Sequence, residues 1–269
     1  VDPCSIVDPA ALNRFGHTQL SEDQGNFDRC DVIVSPPGGD NIDVELQFLT
    51  GAEVPDPPPR ATTTAAGHIR IVRMPEDDGR CMRYLLLPDG YAVVVDPKTN
   101  GNLNLCPMAN AAVPPAVAEL RKGTLPRRSL PASSLARRDT CALLDSAALT
   151  RAVNAVGDRH QAGFGNWTCR WSSLTSDLSV MLRYDQGDPG SENDGQPEKL
   201  SGRDAYVSPG GDGNDGCLVR IVNRTFTDSG GSPAEEVVYL VVNGNRPPTE
   251  LCAPANTLAA NAAANLQRR

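Results

Sequence analysis

The sequence is poor in the residues that most often do chemistry. Only three histidines serve 269 residues, at His17, His68 and His160, too few and too scattered for a proton relay. There is no Gly-x-Ser-x-Gly elbow, no His-Glu-x-x-His pair and no glycine loop that cradles phosphate ahead of a helix. The commonest local signatures of hydrolases, zinc peptidases and nucleotide-binding enzymes are therefore missing. Aromatic residues make up 4% of the chain, and basic clusters are scarce against a formal charge of −8. A nucleic-acid partner is excluded on that ground, since phosphates must be neutralised by Lys and Arg. No apolar run is long enough to span a membrane, and no signal-peptide pattern is found. A chain that opens at Val1-Asp2-Pro3-Cys4 is expected to be a mature protein or an excised ectodomain, held at a membrane only through an anchor outside these residues.

Cysteine is well represented. Cys4, Cys30, Cys81 and Cys106 fall in the first half, and Cys141, Cys169, Cys217 and Cys252 in the second. Their spacing is not that of a metal site, because there is no Cys-x-x-Cys and no neighbouring His pair. An even number at recurring positions suits disulfides in an oxidising compartment; eight buried thiols in a cytosolic protein is the alternative.

The cysteines belong to a longer repeat. Gly67–Pro107 returns as Gly202–Pro254: a strand, a cysteine-bearing strand (Cys81–Leu87, Cys217–Val222), a strand (Tyr91–Val95, Val237–Val242), then a cysteine opening an Ala-rich helix. Upstream, Asp8-Pro9-Ala10-Ala11-Leu12 and Asp145-Ser146-Ala147-Ala148-Leu149 each place an acidic cap before a helix start. The first helix should end near Gly16, the second near Val156 or Gly157. Asn26-Phe27-Asp28-Arg29-Cys30 and Asn166-Trp167-Thr168-Cys169 then flank a cysteine with an aromatic, ahead of alternating strands at 30–34 and 43–48, and at 169–173 and 178–184.

The repeat implies two domains, 1–122 and 139–269, on either side of a Pro/Ser/Arg linker over 123–138 that reads as a solvated tether. Residues 1–123 carry 10 basic and 17 acidic side chains, and residues 139–269 carry 11 and 16, so both halves are acidic and only the joint is basic. Two Pro- or Gly-rich loops, Gly51–Thr64 and Gln186–Ser201, are the least core-like segments and read as flexible connections or as lips of a binding groove. Pro114 and Pro115 should split the first helical tail, whereas Ala255–Leu266 should form one helix.

This arrangement resembles a secreted actinobacterial domain found in lipoproteins and in ectodomains of receptor Ser/Thr kinases, most of them without an assigned function. The resemblance rests on Asp-Pro-Cys with the Asp-Pro-Ala-Ala-Leu helix start (Asp2–Leu12), the second cysteine after an aromatic, the Gly-x-x strand ahead of the third cysteine, and the fourth cysteine opening a helix. It covers both halves, as a tandem pair. The resemblance implies an α+β fold: two similar domains, each an antiparallel sheet with helices on one side and two disulfides. Four cysteines per domain allow three pairings. Cys4–Cys30, Cys81–Cys106, Cys141–Cys169 and Cys217–Cys252 are favoured, because each would pin a helix start to a strand. The matching positions are cysteines, caps and turns, so no functional residue is carried over.

With the cysteines committed to bridges, no thiol nucleophile remains. His17 and His160 read as loop histidines on the surface, and His68 is matched by Arg203, which argues against a required base. Glu76-Asp77-Asp78-Gly79 and Asp212-Gly213-Asn214-Asp215-Gly216 offer oxygens to a hard cation, but Asp, Asn and Gly are ordinary turn residues. No catalytic, cofactor or metal residue is assigned. The expected function is a non-catalytic, extracytoplasmic ligand-binding or sensor module, as a receptor-kinase ectodomain or a lipoprotein, meeting an envelope protein or cell-wall ligand. The alternatives are a secreted cell-wall hydrolase using carboxylates at the domain interface, and a structural partner in an envelope assembly.

Overall fold

The computed structural model describes residues 1–77, 79–101, 103–155, 157, 159–211 and 215–267. The chain divides into two compact units, Val1–Gln24 with Asp28–Ser129, and Gly25–Phe27 with Leu130–Arg269.

The first unit begins with two short 3-10 turns, Pro3–Ile6 and Pro9–Phe15, each started by an aspartate (Asp2, Asp8) whose carboxylate accepts a backbone N–H two residues on. Strand β1 (His17–Ser21) follows, and the chain next forms the two-residue strand β2 (Gly25–Asn26). Then come β3 (Arg29–Ser35), β4 (Ile42–Thr50), β5 (Thr62–Ala66), β6 (Ile69–Arg73), β7 (Arg83–Leu86) and β8 (Tyr91–Lys98), with helix α1 over Cys106–Leu120. The antiparallel sheet has the order β1-β3-β4-β8-β7-β6-β5. Val32, Val34, Ile42, Val44, Leu46, Val93 and Val95 are fully or almost fully buried on its inward face. Helix α1 and the two 3-10 turns pack against these strands.

In the second unit, helix α2 (Ser146–Val153) precedes β9 (His160–Ala162), β10 (Thr168–Ser172), β11 (Ser179–Gly187), β12 (Gln196–Leu200), β13 (Arg203–Pro209), β14 (Gly216–Thr227) and β15 (Pro233–Asn243). Helix α3 (Pro248–Gln267) closes it. The sheet runs β12-β13-β14-β15-β11-β10-β9, with β2 added beside β11. Read from β9, the order is that of the first sheet. Leu182, Val219, Leu240 and Val242 meet Leu251, Leu258, Ala259 and Ala262 of α3 in one buried cluster. Small Ala side chains along α3 let the helix lie close to the strands.

Four disulfides close within the halves: Cys4–Cys30, Cys81–Cys106, Cys141–Cys169 and Cys217–Cys252. Each ties a helical turn to a strand or, at Cys81, to a position two residues before one. No cysteine is free. Among the described residues, no helix is long and apolar enough to cross a membrane.

Several expectations need correction. Helix α1 continues through Pro114 and Pro115. Met108, Ala109, Ala112, Val113, Ala116, Val117 and Leu120 bury one continuous face, which outweighs the two missing backbone donors. Helix α3 begins at Pro248, ahead of the expected start, and carries Pro254 inside it. Helix α2 ends at Val153, because Asn154 takes a left-handed conformation (φ 52°) that stops it; Val156 lies outside the described residues. The two loops read as flexible instead end in edge strands, β5 and β12, and each holds a capping box, Thr50 with Glu53 and Ser191 with Asp194.

The tether reading also fails over its second half. Leu135 is fully buried, its N–H donates to Glu236 at 2.9 Å, and the Trp167 indole donates to the Ala136 carbonyl at 3.0 Å. In the first half, Arg128 donates to the Glu22 carbonyl and to Asp23, at 2.7 and 3.0 Å. The units change over between Ser129 and Leu130. The simple division at 122 and 139 misses a second exchange: Phe27 is buried in the second unit's core, 5.9 Å from the Trp167 ring and 6.4 Å from that of Tyr184.

Candidate functional site

Successive strand residues face opposite sides, so one row of each sheet points away from the helices. In the first sheet the pairing sets Asp31 opposite Glu45, and Glu45 opposite Asp96. Three carboxylates therefore form a row across β3, β4 and β8. Asp43, two residues before Glu45 on the same face, pairs with Lys98.

Cations thread through these acids. Arg29 donates to Asp31 (3.1 Å from Nε) and to Glu45 (3.0 Å). Lys98 reaches Glu45 at 2.6 Å and Asp96 at 3.8 Å, and Arg80 makes a two-pronged contact with Asp96 at 3.1 and 2.5 Å. Asp31, Glu45 and Asp96 are buried, whereas Asp43 is half-buried. Two acceptors stay unmatched: Asp31 Oδ1 and Asp43 Oδ1 are shut off from solvent and receive no hydrogen bond. Burial pushes the Asp31 carboxyl up to about 7, with Arg29 opposing, and Asp43 up to about 6, with Glu45 adding to the effect. Asp28, buried nearby, rises to about 7 for the same reason, although the Gln47 amide donates to it at 3.1 Å.

The second sheet has different chemistry at the same row. Arg170 lies opposite Met181, and Met181 opposite Val241. This corner opens as a cleft of about 720 Å³, lined by Arg159, His160, Arg170, Leu174, Met181 and Asn243 among others. His160 packs 6.1 Å from the Trp171 ring, and its Nδ1 lies 3.0 Å from the Gly157 carbonyl oxygen.

The other end of each outward face is covered. In the first unit Leu49, Val72, Tyr84, Ala92 and Val94 form a small apolar cluster, with Val54 and Ala61 of the 51–61 segment packed on it. In the second, Arg220 occupies the place of Tyr84. It donates to the Asp188 carbonyl at 2.5 Å and pairs with Glu235 at 3.2 Å, while Tyr206 donates to the Gly190 carbonyl at 3.0 Å. The 188–194 segment is thereby held down by polar contacts, where its counterpart is held by apolar ones.

Several residues singled out in the sequence lie away from these faces. His17 opens β1 and His160 opens β9, so neither sits in a loop; His68 is an exposed turn residue. The turn acids Glu76 and Asp77 are exposed, and Asp78, Asp212, Gly213 and Asn214 lie outside the described residues. Two further groupings bring potential metal ligands together, Cys141 with His160 and Cys169, and Glu76 with Cys81 and Cys106. Their sulfurs are in disulfides and have no thiolate to offer. The acid row was not found in the sequence because its members are ordinary outward positions of alternating strands; only the strand register reveals that they meet.

No known family, no curated protein and no solved structure matches this chain.

Proposed function

We propose that the protein is a non-catalytic binding module of the cell envelope, built from two copies of one disulfide-bonded fold and working outside the cytoplasm. The extracytoplasmic placement is supported by four disulfides and by the absence of any free cysteine. The tandem reading, and with it the resemblance to the actinobacterial domain of lipoproteins and kinase ectodomains, is supported by the shared strand order and by the matching bridges.

The observation that carries the binding reading is the change of outward-face chemistry on a constant scaffold. Asp31, Glu45 and Asp96 give way to Arg170, Met181 and Val241, and an open cleft replaces a packed charge network. Cleft-forming residues that mix cations with apolar side chains suit a ligand with an anionic group on an apolar body. In the envelope that describes a cell-wall fragment or an acidic segment of a partner protein.

The test uses the intact chain with purified cell-wall fragments and envelope proteins as probes. Arg170→Glu and Met181→Arg each change the cleft without touching the buried core. A loss of about tenfold or more in affinity for either variant is expected, equivalent to about 1.4 kcal/mol. Unchanged binding in both would remove the cleft. Hydrolysis of cell-wall polymer by the intact protein, abolished by removing one carboxylate, would replace the binding reading with the hydrolase one.

A further inference from the structure

We propose that Asp31, Asp43 and Glu45 form a site for a hard divalent cation, calcium in preference to magnesium, on the outward face of the first sheet. This does not depend on the ligand reading of the second unit's cleft.

Geometry is the first support. One oxygen from each of the three carboxyl groups lies within 4.8 Å of the other two. A calcium ion bound at about 2.3–2.6 Å holds oxygens at separations up to about twice that length, so the cluster fits inside one coordination shell. All the donors are oxygens, which disfavours zinc and copper. Three protein oxygens leave positions for water on the side where Asp43 is half-buried. That irregular, partly wet shell suits calcium better than magnesium, which demands a near-ideal octahedron.

Unsatisfied valence is the second support and is independent of the first. Asp31 is 2% exposed, yet its Oδ1 receives no hydrogen bond, and the shielded Oδ1 of Asp43 receives none either. A buried carboxylate oxygen without a donor is costly and calls for a proton or a cation. The fixed charges around it leave room for one. Asp31, Asp43, Glu45 and Asp96 carry four negative charges, set against Arg29, Arg80 and Lys98. Arg29 engages Asp31 through Oδ2 and Glu45 through Oε1, which leaves Oδ1 of Asp31 without a donor. Lys98 is the group a cation would displace from Glu45 Oε2, and its half-exposed side chain can swing to solvent.

The experiment is calorimetric titration of the full chain, freed of metal with a chelator, with calcium chloride at pH 7.5, paired with native mass spectrometry. One calcium per chain is expected, with a Kd of about 10⁻⁴–10⁻³ M, the range of extracellular modules. Asp43→Asn should weaken binding by about tenfold or more. Lys98→Ala should tighten it, an outcome that misfolding cannot mimic. The exposed turn variant Asp77→Asn serves as a control and should leave it unchanged. Absence of heat and of a calcium adduct at about 10 mM calcium would overturn the site. So would binding that survives Asp43→Asn or is lost in Asp77→Asn. Magnesium binding as tightly as calcium would overturn the preference.

Discussion

Two sheets with one strand order carry faces that differ almost residue by residue. Where the first crosses Asp31, Glu45 and Asp96, the second crosses Arg170, Met181 and Val241. Where the first buries Tyr84 among Val72 and Val94, the second sets Arg220 between Tyr206 and Tyr239. The inward rows show no such divergence: Cys30, Leu46 and Val95 correspond to Cys169, Leu182 and Leu240, all buried apolar side chains. A packed interior tolerates few changes of volume or polarity, whereas an outward face is constrained only by what covers it. The two sheets thus share a strand order, and the distinctive chemistry of each unit lies on its outward face.

The comparison can be broken at its most asymmetric point, Phe27. This residue comes from the first half of the chain but is buried with Trp167 and Tyr184 in the second unit. Phe27→Ala should destabilise the second unit by about 3–5 kcal/mol. Both tryptophans, Trp167 and Trp171, belong to that unit, so denaturant unfolding followed by indole fluorescence reads it selectively. An unchanged midpoint would show that Phe27 is not part of that core.

A symmetric perturbation should give similar results in both halves. Replacing either Cys4 and Cys30 or Cys141 and Cys169 by Ala opens loops of 26 and 28 residues, for about 3–4 kcal/mol each in the chain-entropy picture. Thermal melts of the two double variants should therefore shift together. A large difference between them would locate extra, unequal structure in the reduced chains.

Acidity should separate the units again. A carboxyl whose folded pKa is raised keeps its proton in the native chain at a pH where the unfolded chain has lost it. The cost of burying the charge is then fully present above the folded value and fades as pH falls toward the unfolded value. Asp28, Asp31 and Asp43 are raised to about 7, 7 and 6, all in the first unit. The first unit should therefore gain stability from pH 8 to pH 5, by up to about 3 kcal/mol for Asp28 alone. Amide exchange at the two pH values, corrected for intrinsic rates, resolves the units. Asp28→Asn should flatten the first unit's dependence, and an equal pH response in both units would contradict the assignment.

The smallest effect tests the outward row directly. Met181→Glu places a carboxylate beside Arg170 on a partly exposed strand, where an ion pair contributes about 0–1 kcal/mol. A melt within a degree or two of the parent is expected; a loss of several degrees would mean that the row is packed in a way its partial burial does not suggest.

Much of this was legible beforehand, and for local reasons. Asp8 sits where a side-chain carboxylate caps the next turn, and its hydrogen bond from the Ala10 N–H is a contact within two residues. Asp145, expected to do the same for α2, makes no such bond and instead accepts from the Asn261 amide. Alternation in Cys30-Asp31-Val32 and Val44-Glu45-Leu46 declares a half-buried strand without reference to any neighbour. The cysteine positions announce disulfides, since eight thiols at recurring spacings without a Cys-x-x-Cys do not suit a metal site. The edge strands β5 and β12 were not legible, because Pro- and Gly-rich flanks look like loop and only a neighbouring strand makes them sheet. The course of α1 through Pro114 and Pro115 depended on an apolar face whose burial is non-local.

By itself, then, the sequence determined the strand and cap pattern, the two sets of four cysteines and the acidity of both halves, all properties set by residues close together in the chain. Only the tertiary structure decided that Phe27 belongs to the second core, that Leu135 is buried, and that Asp31, Asp43 and Glu45 share one patch with two unmatched oxygens. Those outcomes follow from strand register and from which surfaces close on one another. A register shift of a single residue would have turned the same carboxylates toward the opposite face.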